Sequence, residues 1–99
     1  MTEISETIKE RGNRYGNYLQ QTRISDALSR AVTDSSGNAV FEMETDQRDA
    51  ISMIIVKLSR ILNGDPDYID NWTDIAGYAK LVADRLENED GRTSTKART

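Results

Sequence analysis

Residues 46–63 carry the pattern that most constrains how this chain folds. Their apolar side chains recur at intervals of three and four, the spacing of one face of an α-helix. The stripe consists of Ile51, Ile54, Ile55, Leu58, Ile61 and Leu62. Asn63-Gly64 ends it with a residue suited to a left-handed cap, and Pro66 prevents continuation. We therefore predict a helix over 46–63, with Thr45 as its N-cap.

A second amphipathic pattern follows this stop, over residues 70–87. Its apolar stripe consists of Trp72, Ile75, Ala76, Ala79, Val82, Ala83 and Leu86. Because the connection is short, the two helices are expected to pack in antiparallel directions. We predict an all-α protein, a small bundle of three to four helices that ends in this antiparallel pair.

The segments before this pair predict weaker elements. Residues 3–11 favour a short helix and residues 17–33 a longer one, because two glycines and two asparagines in 12–18 favour a bend between them. Residues 33–39 have the composition of a loop. For 40–45, a transient strand and an extended linker both remain open.

The domain boundary follows from a change in composition near the end of the chain. Residues 89–99 are polar, small and without periodicity, so we predict a disordered tail there. The preceding residues, 1–88, are expected to form a single all-helical domain. A chain of 99 residues buries a limited core, so we also expect a homo-oligomer.

Composition excludes several kinds of site. The chain has no Cys and no His, which removes disulfides, zinc ribbons, thiol nucleophiles and the commonest general base. A metal would have to be a hard cation such as Mg²⁺ on carboxylates. The net charge of −4 argues against non-specific nucleic-acid binding. It leaves room for a nucleotide pocket, which needs a few local cations.

No stretch has the character of a signal peptide or of a membrane span. The N-terminal residues lack an apolar segment, and no apolar run approaches the roughly 20 residues of a transmembrane helix. We therefore expect a cytoplasmic protein that does not contact the membrane.

The predicted helix pair places polar residues beside its apolar stripes. Lys57 and Arg60 flank one stripe, and Asp74 and Tyr78 flank the other. They could form inter-helix salt bridges, or an anion pocket in which Lys57 and Arg60 bind phosphate. A third alternative is a Mg²⁺ site built from Asp67, Asp70 and Asp74.

Two further segments carry aromatic residues beside charges. Trp72 follows the turn and is interpreted as a core or oligomer contact, with a nucleobase platform as the alternative. The segment "RGNRYGNY" interleaves Arg11, Arg14, Tyr15 and Tyr18 with glycines. It could wrap a phosphate and stack a base, or dock on the end of the bundle.

These motifs resemble a family of small phage and prophage proteins that carry a domain of unknown function. The family pattern is a Tyr-Gly near the start, a Lys and an Arg before a Gly-containing turn, and an Asp-x-Trp-x-Asp-x-x-Gly-Tyr block. The matching residues are Tyr15, Gly16, Lys57, Arg60, Gly64, Asp70, Trp72, Asp74, Gly77 and Tyr78. The resemblance implies an accessory protein that acts in the cytoplasm of a bacterial host.

A more distant likeness is to the all-α nucleoside triphosphate pyrophosphohydrolases of the MazG type. Those proteins are oligomeric and bind Mg²⁺ through an E-x-x-E helix and an E-x-x-D helix. This chain departs from the pattern, with Lys57 and Arg60 in place of the first pair of acids and Asn71 three residues before Asp74. The likeness therefore implies a nucleotide-shaped cleft that binds rather than hydrolyses.

Three functions follow as hypotheses. The first is a non-enzymatic binder of a nucleotide, a cyclic nucleotide or a small phosphorylated signal, acting without a cofactor. Its candidate ligand-binding residues are Arg11, Arg14, Tyr15, Lys57, Arg60, Trp72, Asp74 and Tyr78. The second is a Mg²⁺-dependent nucleotide pyrophosphohydrolase, and the third is an inhibitor or adaptor that acts on a host protein.

Overall fold

Four long helices and one single-turn helix form the part of the chain that the structure describes. The computed structural model describes the backbone of residues 2–93 and, apart from residues 2, 13 and 90–93, their side chains. The helices are α1 (Thr2–Tyr15), α2 (Tyr18–Ser36), α3 (Ala39–Glu42), α4 (Thr45–Asn63) and α5 (Ile69–Thr93). No strand occurs within residues 2–93, which confirms the predicted all-α class.

Helix α4 is the centre of the fold, because it packs against both α2 and α5. Its first turn begins one residue earlier than predicted. Glu44, with extended backbone angles, is the N-cap instead of Thr45. The side chain of Gln47 accepts a hydrogen bond from the Glu44 backbone N–H at 3.0 Å, which is one of the two reciprocal bonds of a capping box.

Two ion pairs establish that α4 and α5 run antiparallel, as predicted. Lys57 Nζ lies 2.9 Å from Asp74 Oδ2. Asp46 pairs with Arg85. Asp46 precedes Lys57 by about three turns of α4, and Arg85 follows Asp74 by about three turns of α5. The Arg85 guanidinium donates from Nε to one Asp46 oxygen at 2.6 Å and from Nη2 to the other at 2.8 Å. This two-point contact holds the pKa of the Asp46 carboxyl below its ordinary value.

The core between these helices is small and partly polar. Its buried apolar residues, among those described, are Ala50, Ile55 and Ile61, all on α4. Ser59 and Asn71 are more fully enclosed than these three, and the Ser59 hydroxyl donates to the Val56 carbonyl at 2.6 Å. A core of this size leaves several large apolar side chains on the surface of the chain.

Three segments differ from the sequence-based predictions or extend beyond them. Helix α2 continues to Ser36, into the segment over 33–39 that we predict as a loop, because the helical backbone persists up to Gly37. For residues 40–45 we predict a strand or an extended linker. Residues 40–42 instead belong to the single helical turn of α3. Helix α5 continues to Thr93, into the segment for which we predict a disordered tail. The remainder of that segment, 94–99, lies outside the described residues. No helix in the described chain is both long and apolar enough to cross a membrane.

Candidate ligand-binding cleft

The C-terminal end of α1 is joined to the C-terminal end of α4 by backbone-directed hydrogen bonds. The Asn63 side-chain amide donates to the carbonyl of Tyr15 at 2.9 Å and to that of Asn17 at 2.9 Å. The Asp65 backbone N–H donates to the carbonyl of Arg14 at 2.7 Å. Carbonyls at the end of α1 and at the N-cap of α2 thus find partners in the last residue of α4 and in the turn that follows it.

Two glycines allow these segments to approach each other. Gly16 has a φ of 82°, a left-handed conformation that side chains disfavour, and a Cβ there would overlap the Asn63 carbonyl. A Cβ on Gly64 would overlap the backbone of Arg14 and Tyr15. Gly64 itself has a φ of −127°, so the left-handed cap predicted for it is wrong. Its role is close backbone approach.

A stack of two adjacent tyrosine rings with an arginine at each end covers this junction. The guanidinium carbon of Arg14 lies 4.3 Å from the centroid of the Tyr68 ring, and that of Arg60 lies 4.5 Å from the centroid of Tyr15. The two tyrosine rings are 6.1 Å apart and inclined by 60°. Cation–π and tilted aromatic contacts of this geometry are attractive. The stack therefore links α1, α4 and the turn before α5.

Hydrogen bonds fix the outer end of the stack. The Tyr68 hydroxyl donates to Asp70 Oδ2 at 2.8 Å, and this bond to a carboxylate raises the pKa of the Tyr68 phenol. Arg14 Nε donates to Glu10 Oε1 at 2.8 Å, which raises the pKa of Arg14. Tyr68 and Arg14 are thereby kept in their protonated states and in one orientation.

Beside the stack lies a cleft of about 550 Å³, which we call the N-terminal cleft. Its walls come from α1, the first turn of α2 and the last turn of α4. The lining residues are Ile8, Arg11, Gly12, Tyr15, Gly16, Asn17, Tyr18, Gln21 and Arg60. None of these is acidic, so the two arginines give the cleft a positive charge.

The two arginines differ in how they are held. Arg60 is half-buried on Tyr15, and its Nε is enclosed without a hydrogen-bond partner among the described residues. Arg11 is exposed on α1. Among the residues whose side chains the structure describes, neither Arg11 nor Arg60 forms an ion pair. A buried donor without a partner costs free energy, so an acceptor that reached this nitrogen would be favoured.

A neighbouring cleft of about 590 Å³ on the other side of α1 has the opposite character. Arg11 and Tyr15 line it too, but so do Glu3, Glu6 and Glu10. These carboxylates would repel an anion. Electrostatics therefore distinguishes two clefts of similar size and favours the N-terminal cleft for a phosphate.

The eight ligand-binding residues predicted from the sequence fall into separate places. Arg11, Tyr15 and Arg60 line the N-terminal cleft, and Arg14 belongs to the stack behind it. Lys57, by contrast, is 9% exposed and is engaged by Asp74 in the seam between α4 and α5. For this pair the geometry is that of the inter-helix salt bridge.

Trp72 and Tyr78 are also apart from the cleft. The Trp72 indole N–H donates to the Pro66 carbonyl at 2.8 Å, which ties the first turn of α5 to the preceding loop. Tyr78 and Asp74 line a shallow surface groove on α5 together with Gly77 and Leu81. The groove shares no lining residue with the N-terminal cleft.

The sequence places Tyr18 in a segment that could stack a base, although it is not among the eight candidate residues. Sequence reasoning passed over Gln21, Tyr68 and Asn63 as site residues. Asn63 ends α4 and Tyr68 lies in the turn that follows, where their polar neighbours pointed to capping. No local pattern shows that this turn meets the end of α1.

The aspartates proposed for Mg²⁺ are engaged separately. Asp70 accepts the Tyr68 hydroxyl, and Asp74 pairs with Lys57. The Asp67 backbone N–H donates to the Asp65 carboxylate at 2.9 Å, which makes an Asx-type turn. In the part of the chain that the structure describes, no three His, Cys, Asp or Glu side chains are grouped as metal ligands would be.

The model of one protein family, described as a domain of unknown function (DUF6378), matches residues 1–86. The chain belongs to this family. The match includes all four long helices up to residue 86 of α5, and with them the junction, the stack and the N-terminal cleft. No curated protein and no solved structure matches the chain. The matched domain of DUF6378 therefore contains every residue that lines the N-terminal cleft. The description of the family states no activity.

Proposed function

We propose that the protein is a non-enzymatic binder of a nucleotide or small phosphorylated signal, and that the N-terminal cleft is its binding site. The observation that carries the proposal is the enclosed Arg60 Nε without a partner, at the wall of a cleft whose second cation is Arg11. A phosphate oxygen would supply the missing acceptor. Arg is suited to this role because its planar guanidinium presents several donors to one anion.

The residues of the cleft divide the work of binding between them. Arg60 is oriented in advance by the Tyr15 ring, so little side-chain entropy is lost when it binds. Arg11, being exposed, can adapt to a second phosphate. Tyr18 is 75% exposed and lies on the rim, so its ring is free to stack on a base. Tyr15 is already engaged by Arg60 and Tyr68.

The volume of the cleft fits a ligand of this class. Small-molecule sites commonly measure about 300–1,000 Å³, and the cleft falls within that range. Arg11 and Arg60 stand on different helices, so a ligand that contacts both would hold α1 against α4. Binding would then raise the stability of the whole chain.

A thermal-shift panel tests the proposal, with nucleoside mono-, di- and triphosphates and cyclic dinucleotides as ligands. A ligand at about 100 times its dissociation constant adds about 2.7 kcal/mol to the free energy of unfolding, a readable shift for a domain of this size. If the protein is a binder that needs no metal ion, the ligand-induced thermal shift should persist in EDTA. Diphosphate release that requires Mg²⁺ would instead favour the MazG-like hydrolase. An absence of any shift contradicts the proposal.

The wider setting of the protein is also proposed. The Tyr15-Gly16 and Asp70–Tyr78 blocks support an origin in a phage or prophage and a role as an accessory protein in the cytoplasm of a bacterial host. An inhibitor or adaptor that acts on a host protein is the third function. Recovery of one host protein with the tagged chain, and its loss in a cleft variant, would favour that function over the binder.

A further inference from the structure

Helix α5 carries an apolar stripe that is exposed along most of its length. The α5 stripe consists of Ile69, Trp72, Ala76, Ala79 and Ala83. All five residues are exposed, Ile69 at 69% and Trp72 at 51%. Their spacing alternates between three and four, the repeat by which one helix packs along another. The sequence predicts Trp72, Ala76, Ala79 and Ala83 to lie on the buried face of this helix, and these four residues instead face solvent.

The stripe is distinct from the face that α5 turns towards α4. Asn71 is 1% exposed, and Asp74 and Arg85 pair with residues of α4, so these positions mark the α4-facing side. At 100° per residue, the stripe is centred roughly 120° away from Asn71. Packing against α4 therefore leaves the stripe available.

The order of large and small residues along the stripe makes it complementary to itself. In an antiparallel pairing centred between Ala76 and Ala79, Trp72 lies opposite the partner's Ala83 and Ile69 opposite the partner's Leu86. Ala76 then lies opposite the partner's Ala79, where the two helices approach most closely. The large Trp72 thus meets the small Ala83, which is how helix surfaces interdigitate, and Ile69 and Leu86 make an apolar contact at each end.

A parallel pairing lacks this fit. It would place each Trp72 against its own copy and each alanine against its own copy. The two indoles would hold the helices apart while the alanines left a gap between them. The antiparallel arrangement is also closed by a single two-fold axis, so both copies use the same surface.

We propose that the α5 stripe is the interface of a homodimer, with a second copy of α5 packed antiparallel across a two-fold axis near residues 76–79. The interface buries the exposed indole of Trp72 and adds apolar area to a core of few buried residues. It does not depend on a ligand in the N-terminal cleft.

Sedimentation equilibrium of the full chain at micromolar concentration tests the interface. Wild type has twice the 11.1 kDa mass of one chain. Ala79→Glu places a charge at the crossing point and gives a monomer. Leu81→Glu is the matched control, because Leu81 is 68% exposed on another side of the same helix, and this variant remains a dimer. A monomeric wild type, or a dimer that withstands Ala79→Glu, overturns the proposal.

A swap of the two facing residues tests the antiparallel register independently of Ala79→Glu. Trp72→Ala removes the large partner from both ends of the interface and raises the dissociation constant of the dimer roughly tenfold or more. The double variant Trp72→Ala/Ala83→Trp restores each large–small pair with the partners exchanged, and it recovers most of that loss. If the double variant dimerises no better than Trp72→Ala, the register is wrong. Far-UV circular dichroism confirms that each variant is helical.

Discussion

The guanidinium of Arg60 rests on the ring of Tyr15, with 4.5 Å between its central carbon and the ring centroid. This contact joins the last turn of α4 to the last turn of α1. It also fixes an arginine whose Nε lacks a hydrogen-bond partner in the described chain, at the wall of a cleft without acidic residues. The proposed phosphate site therefore depends on how α1 is attached to the helices behind it.

Substitution of Gly16 by Ala tests that attachment. The left-handed backbone at Gly16 disfavours a side chain, and a Cβ there would overlap the Asn63 carbonyl. We expect Gly16→Ala to lower the free energy of unfolding by at least about 2 kcal/mol, measured by urea denaturation. Gly64→Ala is expected to behave alike, because its Cβ would overlap the Arg14 and Tyr15 backbone.

Gly12→Ala is the matched control. Gly12 lies within α1, and a Cβ there meets nothing within 4 Å. This variant should be unchanged or more stable by up to about 1 kcal/mol, because Ala is the better helix former. Equal stabilities for Gly16→Ala and Gly12→Ala would contradict the close approach of the two turns.

The Asn63 side chain should contribute measurably to the stability of the fold. Its amide donates to the carbonyl of Tyr15, at the end of α1, and to that of Asn17, the N-cap of α2. We expect Asn63→Ala to cost about 1–3 kcal/mol of unfolding free energy. Asn38→Ala serves as the control, because Asn38 caps α3 without a side-chain hydrogen bond. Similar losses in both variants would mean that the Asn63 bonds add little.

The Lys57–Asp74 pair should contribute to stability and leave ligand binding unchanged. Lys57 is the more enclosed partner, so Asp74→Ala would leave a buried cation without compensation. Lys57→Met keeps the stem of the side chain and removes the charge. We expect Asp74→Ala to be less stable than Lys57→Met by about 1–3 kcal/mol in chemical denaturation. If Lys57→Met instead abolishes a thermal shift caused by a nucleotide, Lys57 belongs to the site.

Acid should weaken the contact between α4 and α5. The Arg85 guanidinium holds the pKa of Asp46 below its ordinary value of 3.8, so the folded state favours the ionised carboxyl. This contribution is fully present above the unfolded pKa and is lost as the pH falls through the lower folded pKa. The stability difference between wild type and Asp46→Asn should therefore be constant near neutral pH and shrink below about pH 4.

Asp26→Asn provides the comparison for this measurement. Its partner Arg30 and Asp26 itself are mostly exposed on α2, with 74% and 63% of their side chains accessible. Loss of such a surface pair changes the free energy of unfolding by less than about 1 kcal/mol. A difference for Asp46→Asn that does not vary with pH would contradict the role given to Arg85.

The fold was accessible from the sequence because its strongest signals are local. The stripe over 46–63 and the stop at Asn63-Gly64 mark α4 without reference to the rest of the chain. The predicted helix boundary was off by one residue where two neighbouring residues could both act as an N-cap. Glu44 caps α4, and Thr45 was predicted to. The single turn of α3 has too few residues to display a helical period.

The site was less accessible because it depends on a long-range contact. Lys57 and Arg60 lie three residues apart, and their spacing places them on one edge of α4. In the structure, Lys57 turns to Asp74 on α5 and Arg60 to Tyr15 on α1. The glycines that bring α1 back to the end of α4 are 48 positions apart, and no local pattern connects them. That the two glycines allow one close backbone contact is evident only from the three-dimensional structure.

Isothermal titration in EDTA tests the central claim most directly, with the nucleotide that gives the largest thermal shift. Arg60→Gln and Arg11→Gln each remove one cation from the N-terminal cleft, and Arg30→Gln removes one from a distant face of α2. The account predicts at least a roughly tenfold weaker affinity for each cleft variant, about 1.4 kcal/mol, and an unchanged affinity for Arg30→Gln. If Arg60→Gln and Arg11→Gln bind as tightly as the wild type does, the N-terminal cleft is not a phosphate site.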